Sequence, residues 1–146
     1  MNDKQLQSWG IALTRMTLGV VALTHSLYLK GVIFTLPGTA QYFASLGLPA
    51  WLAYFVFAIE VTAGFMLLAG WRVRLAAAAL IPVMLGATWA HAGNGWVFSN
   101  AGGGWEYPLL LAVMSLVQTL LGAGAFALGT RPVSRSGSAA NLALES

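Results

Sequence analysis

Long apolar runs separated by short polar stretches dominate the chain, and four of them approach the roughly 20 residues needed to cross a hydrocarbon core about 30 Å thick. They cover residues 9–29, 51–70, 75–92 and 107–128, a pattern that predicts an all-α transmembrane four-helix bundle. The first run is a retained helix rather than a signal peptide, because it carries Arg15 inside it and leads into no small-residue cleavage site. Between the first two runs, Tyr42, Phe43 and Leu46 share one helical face between a capping Thr39 and a stopping Gly47. That segment predicts a short helix lying on the membrane surface. Pro49 and Pro108 stand near the starts of the second and fourth runs, where a missing N–H costs nothing. Residues 93–104 are rich in Gly and Asn with Trp96 and Phe98 among them, and predict a mobile flap with aromatic anchors. Residues 1–8 form an N-terminal segment, and the Ser-rich stretch 129–146 predicts a disordered tail.

Composition agrees with a lipid environment: 58% of the residues are hydrophobic and 8% charged, against about 25% charged in soluble domains. The net charge of +3 does not indicate nucleic acid, because the seven Lys and Arg residues stand singly at helix ends and form no basic face. They set orientation instead. Lys4, Arg72, Arg74, Arg131 and Arg135 fall on one side and Lys30 on the other, which predicts both termini on the cytoplasmic side of a multi-pass membrane protein. Ala12, Arg15, Gly19, Ala22 and Ser26 recur at spacings of three and four in the first helix, a small-residue stripe suited to close helix packing in lipid. There is no cysteine, so the chain by itself carries out no thiol–disulfide exchange and holds no iron–sulfur cluster.

Ionisable side chains within the spans are the candidate chemistry, since each costs about 2.5–3.5 kcal/mol in hydrocarbon unless paired. Glu60 lies about 14 Å below Trp51 at 1.5 Å per residue, and Arg15 sits at comparable depth on an antiparallel helix. An Arg15–Glu60 ion pair is expected, acting as a register brace or as part of a proton path. A second group converges by topology in the outer leaflet: His25, His91 and Glu106, with Trp105 and Tyr107 beside them and the Gly-rich segment above. Singly, each has a plainer explanation, such as a carbonyl partner, a helix cap or an interfacial aromatic belt. Together they suit a quinone head group or proton-coupled chemistry, with His donating to a carbonyl oxygen and Glu relaying a proton. Haem between His25 and His91, and a metal ion held by the two His and Glu106, are lesser alternatives, and no helical His/Glu metal spacing supports the latter.

The order of these residues resembles the DoxX family. Arg15, Gly19, His25 and Lys30 are followed by Leu46-Gly47-Leu48-Pro49, Glu60 with Gly64, Gly70 with Arg74-Leu75-Ala76-Ala77, His91, and Gly103-Gly104-Trp105-Glu106-Tyr107. The resemblance spans residues 8–129 and departs at Ser26, where the family pattern has Gly after the His. It implies a cytoplasmic-membrane protein linked to respiratory or sulfur and redox-stress metabolism, with Arg15, His25, Glu60, His91 and Glu106 as its polar positions. The function expected is therefore a membrane subunit that assists quinone-linked redox chemistry by a respiratory or other membrane partner. The alternatives are a non-catalytic structural subunit of a respiratory complex and a small-solute carrier acting as a homo-oligomer.

Overall fold

A computed structural model describes residues 2–128, and the tail predicted beyond them lies outside the described residues. Every regular element among the described residues is a helix. Helix α1 runs from Asp3 to Leu23, capped by Asn2, whose side chain accepts from the Gln5 N–H while Gln5 returns a bond to the Asn2 N–H. It continues without a break as a π-helical segment, Thr24–Ile33, wound with i→i+5 bonds. Helix α2 (Leu36–Ser45) lies between this unit and α3 (Trp51–Ala69), followed by α4 (Val73–His91) and α5 (Glu106–Leu121).

Three of these units are long and apolar enough to cross a membrane: residues 3–33, α3, and α4 with the 3-10 turn that follows it. Helix α5 is apolar but shorter, at 16 residues. Most of this apolar surface faces outward, since under a third of each spanning window is buried within the chain and Leu13, Phe55, Phe65, Leu85 and Leu110 are all exposed. Water would not tolerate so much exposed hydrocarbon, whereas lipid is its natural solvent. The protein is a multi-pass membrane protein.

Packing is close along the small-residue stripe. Ala12, Arg15, Gly19, Ala22 and Ser26 are all buried, and a Cβ on Gly19 would stand 3.0 Å from the Gly64 carbonyl oxygen across the α1–α3 contact. Helix α1 packs on α3 and α5, while α4 packs on α3 and α5, so Leu18, Ala63, Leu67, Val73, Ala77 and Leu80 share one core.

Three boundaries correct the sequence reading. The first helix extends to Ile33 instead of 29, which puts Lys30 on the helix rather than in a loop. The surface helix is capped by Thr35, whose Oγ1 accepts from the Gly38 N–H at 3.2 Å, and Pro37 occupies its first turn; Thr39 is one turn inside. The fourth span, expected to reach Leu128, stops at Leu121. Gly122 and Gly124 both adopt positive φ, at 88° and 65°, and turn the chain back against the ends of α1 and α3. There the Ala125 N–H donates to the Ser8 carbonyl and the Leu128 N–H to the Ala69 carbonyl.

Candidate functional site

The π-helical segment presents His25 sideways from the end of the first span. Its Nδ1 lies 3.1 Å from the Val21 carbonyl oxygen, which can only accept, so Nδ1 carries a proton in this contact, and Nε2 has no hydrogen-bond partner among the described residues. The imidazole stacks on the ring of Tyr107, with centroids 6.0 Å apart and planes 26° from parallel. Tyr107 is partly exposed and follows Glu106, the first residue of α5, so both come from the start of that helix.

Glu106 closes the connection between α4 and α5. One carboxylate oxygen accepts from the Phe98 N–H at 2.9 Å, and its own N–H donates to the Trp96 carbonyl at 3.1 Å. The Trp105 ring meets Trp96 edge to face at 4.4 Å. His91 ends α4 with Nδ1 placed 3.0 Å from the Gly102 carbonyl and 3.4 Å from the Asn94 amide nitrogen. Only a protonated Nδ1 can donate to that carbonyl, and the Asn94 amide already donates to Gly102 and Gly103 at 3.0 and 2.9 Å. His91 therefore shares the tautomer of His25, with Nε2 unengaged.

The connection itself is tied down, contrary to the mobile flap expected. Asn94 bonds two of its carbonyls, Asn100 Nδ2 donates back to the Asn94 carbonyl at 2.9 Å, and buried Gly104 leaves no room for a side chain. A Cβ there would stand 2.2 Å from the Val97 carbonyl oxygen. Asn94 was missed in the sequence because nothing in a Gly- and Asn-rich stretch distinguishes a structural amide from a solvated one.

The predicted cluster thus separates into two parts. His25 meets Tyr107, while His91, Glu106 and Trp105 each engage the connection. Among the described residues no hydrogen bond joins His25, His91 and Glu106, and no three His, Asp or Glu side chains gather to hold a metal ion. Each imidazole is oriented by a carbonyl of a different segment.

The expected Arg15–Glu60 pair does not form. Glu60, 2% exposed, is paired with Lys30 instead, because the π-helical winding carries Lys30 round to face α3. Arg15, 1% exposed, reaches the other end of the molecule and donates through Nη2 to the carbonyls of Ala125 and Phe126 at 3.0 and 3.2 Å. In the sequence Lys30 stands at the start of the polar connection after the first apolar run, and only the π-helical winding turns it toward Glu60.

Comparison with known proteins gives a consistent picture. The family model described as DoxX matches residues 10–93, which include Arg15, His25, Lys30, Glu60 and His91 but not Glu106 or Tyr107. A Bacillus subtilis (strain 168) protein named "Putative oxidoreductase CatD" is 29% identical over 119 residues, covering 82% of this chain and 84% of that protein. No solved structure matches the chain significantly.

Proposed function

We propose, since this chain belongs to the DoxX family, that it is a membrane subunit assisting quinone-linked redox chemistry in the bacterial inner membrane. The observation that carries the reading is the His25–Tyr107 stack: an imidazole held through Nδ1 by the Val21 carbonyl with Nε2 unengaged among the described residues, beside a phenol ring at the partly exposed edge of an apolar helix pair. A quinone head group has the matching features, a flat ring and carbonyl oxygens, and its isoprenoid chain suits the exposed apolar surface around the site.

A quinone supplies a two-electron, two-proton couple when bound. His25 in its protonated form donates from Nε2 to a ring carbonyl and holds the proton that the reduced oxygen requires. Tyr107 covers the ring, and Glu106 keeps one carboxylate oxygen free of the Phe98 bond to accept or return a proton at the membrane edge. With no cysteine in the chain, electrons come from a bound cofactor or a partner. That the relative is named an oxidoreductase supports the class of chemistry and nothing narrower.

In this reading the chain is a four-helix bundle with both termini in the cytoplasm and the His25–Tyr107 end facing out. Lys30 is neutralised by Glu60, so Lys4, Arg72 and Arg74 are the charges left to set orientation among the described residues. The Lys30–Glu60 pair and Arg15 serve as braces. A structural-subunit reading has one observation in its favour: His91 and Glu106 already satisfy backbone groups.

Titrating the full chain in nanodiscs with a short-chain quinone, followed by tryptophan fluorescence, separates the two. Loss of one hydrogen bond worth about 1–1.5 kcal/mol predicts roughly tenfold weaker binding for His25→Ala. Unchanged binding in that variant would leave the structural reading standing.

A further inference from the structure

At the end opposite His25, an open cleft of about 390 Å³ is lined by Gly70, Arg72, Val73, Arg74, Gly122 and Leu128, with Leu75 at its side. Arg72 and Arg74 are exposed, and neither is engaged by a carboxylate among the described residues. Arg72 rests over the Trp71 ring at 5.4 Å, and the Arg74 guanidinium lies against Gly122, where a Cβ would stand 3.3 Å from its Nε. Behind Gly70 stands a third guanidinium. A Cβ on Gly70 would fall 1.9 Å from Arg15 Nη1, so the missing side chain is what admits the arginine to this wall of the cleft.

Arg15 is almost wholly buried, and its Nε and Nη1 have no hydrogen-bond partner among the described residues. Among the described residues the carboxylates are elsewhere: Glu60 is taken by Lys30, Glu106 caps the connection before α5, and Asp3 lies in the first turn of α1. Three guanidinium groups therefore lie toward one end, two lining the cleft and one behind Gly70, with no carboxylate on any of them among the described residues. Unpartnered donors on a buried cation call for an anion. The walls specify which kind. Leu75 and Leu128, both exposed, line the same cleft as Arg72 and Arg74, so hydrocarbon and cationic surfaces adjoin there as they do at the boundary of a phospholipid layer.

We propose that this cleft binds the phosphate of an anionic phospholipid head group. Arg72 and Arg74 take the phosphate oxygens in the forked geometry that guanidinium offers. The apolar lining receives the first methylenes of the acyl chains, and Arg15 adds fixed positive charge from behind Gly70. The site is independent of the redox reading, being built from other residues at the other end of the helices.

Native mass spectrometry of the detergent-purified full chain, with phosphatidylglycerol and phosphatidylcholine added in equal amounts, tests the proposal. Retention of phosphatidylglycerol over phosphatidylcholine by at least about tenfold is expected from two basic residues near an anionic group. The R72Q/R74Q variant, altered only at exposed positions, should lose that preference. The R131Q/R135Q variant, with the same change in net charge, should keep it. Equal retention of the two lipids, or equal loss in both variants, overturns the proposal. Millimolar inorganic phosphate should leave the lipid adducts in place; if it displaces them and binds by itself, the head-group assignment is wrong.

Discussion

Lys30 donates to the Glu60 carboxylate from the last turn of the π-helical segment, so the acidic residue at the middle of α3 is neutralised by a side chain from the end of the neighbouring span. With Glu60 2% exposed and the Lys30 side chain 18% exposed, the pair is shielded from water and the removal of one partner strands the other. Glu60→Gln or Lys30→Met alone should destabilise the fold by about 3–5 kcal/mol, and the double replacement should recover most of that loss. Unfolding midpoints of the three variants in detergent measure it. Additive losses in the double variant would mean that the two charges do not interact.

Gly70 ends α3 with φ of 70° and stands directly against the Arg15 guanidinium. Gly70→Ala should cost at least about 1–2 kcal/mol from the left-handed backbone alone, and more from displacing Arg15 and the Ala127 backbone beside it. Gly86, in the middle of α4 with nothing within 4 Å of its missing Cβ, is the control. Gly86→Ala should be neutral or stabilising by up to about 1 kcal/mol. Thermal midpoints that rank these two variants the other way would show that the buried arginine tolerates rearrangement.

Asn94 fastens the connection before α5 through the Gly102 and Gly103 carbonyls. Asn94→Ala should free residues 95–104 and raise chymotrypsin cleavage at Trp96 and Phe98 by about an order of magnitude, the effect of losing roughly 1 kcal/mol for each of one or two bonds. The overall unfolding midpoint should move little, because the connection lies outside the core. Cleavage at the parent rate would place the tether elsewhere.

The absence of cysteine from the sequence makes the orientation directly measurable. Single cysteines at Gln7 and Ser99 lie near opposite ends of the molecule, one on α1 and one in the connection before α5. An impermeant maleimide should label Ser99→Cys in intact cells and Gln7→Cys only after permeabilisation. The reverse pattern would invert the topology.

Much of the helical layout is readable from hydropathy, because a lipid-facing surface imposes long apolar runs whatever the packing. The partner of Glu60 is not readable in the same way. A helical wheel at 3.6 residues per turn carries Arg15 and Glu60 to plausible facing positions, whereas ten residues wound with i→i+5 bonds rotate Lys30 onto α3. The end of α5 was available in Gly122 and Gly124 but hidden by the apolar Phe126 and Leu128 beyond them, which pack as a turned-back segment, with Phe126 edge-on to Trp9 at 5.2 Å. At the candidate site, shared depth brought His25, His91 and Glu106 to one end. Depth alone does not say which way a ring turns, and the carbonyls of Val21 and Gly102 decide that.

Photolabelling with an azido-quinone, mapped by peptide mass spectrometry on the full chain in nanodiscs, is the most direct test of the redox reading. Adducts should concentrate on residues 21–29 and 105–109, disappear with excess unlabelled quinone, and fall sharply in His25→Ala. Labelling spread evenly over the lipid-facing leucines, or unaffected by competitor, would contradict a head-group site at His25 and Tyr107.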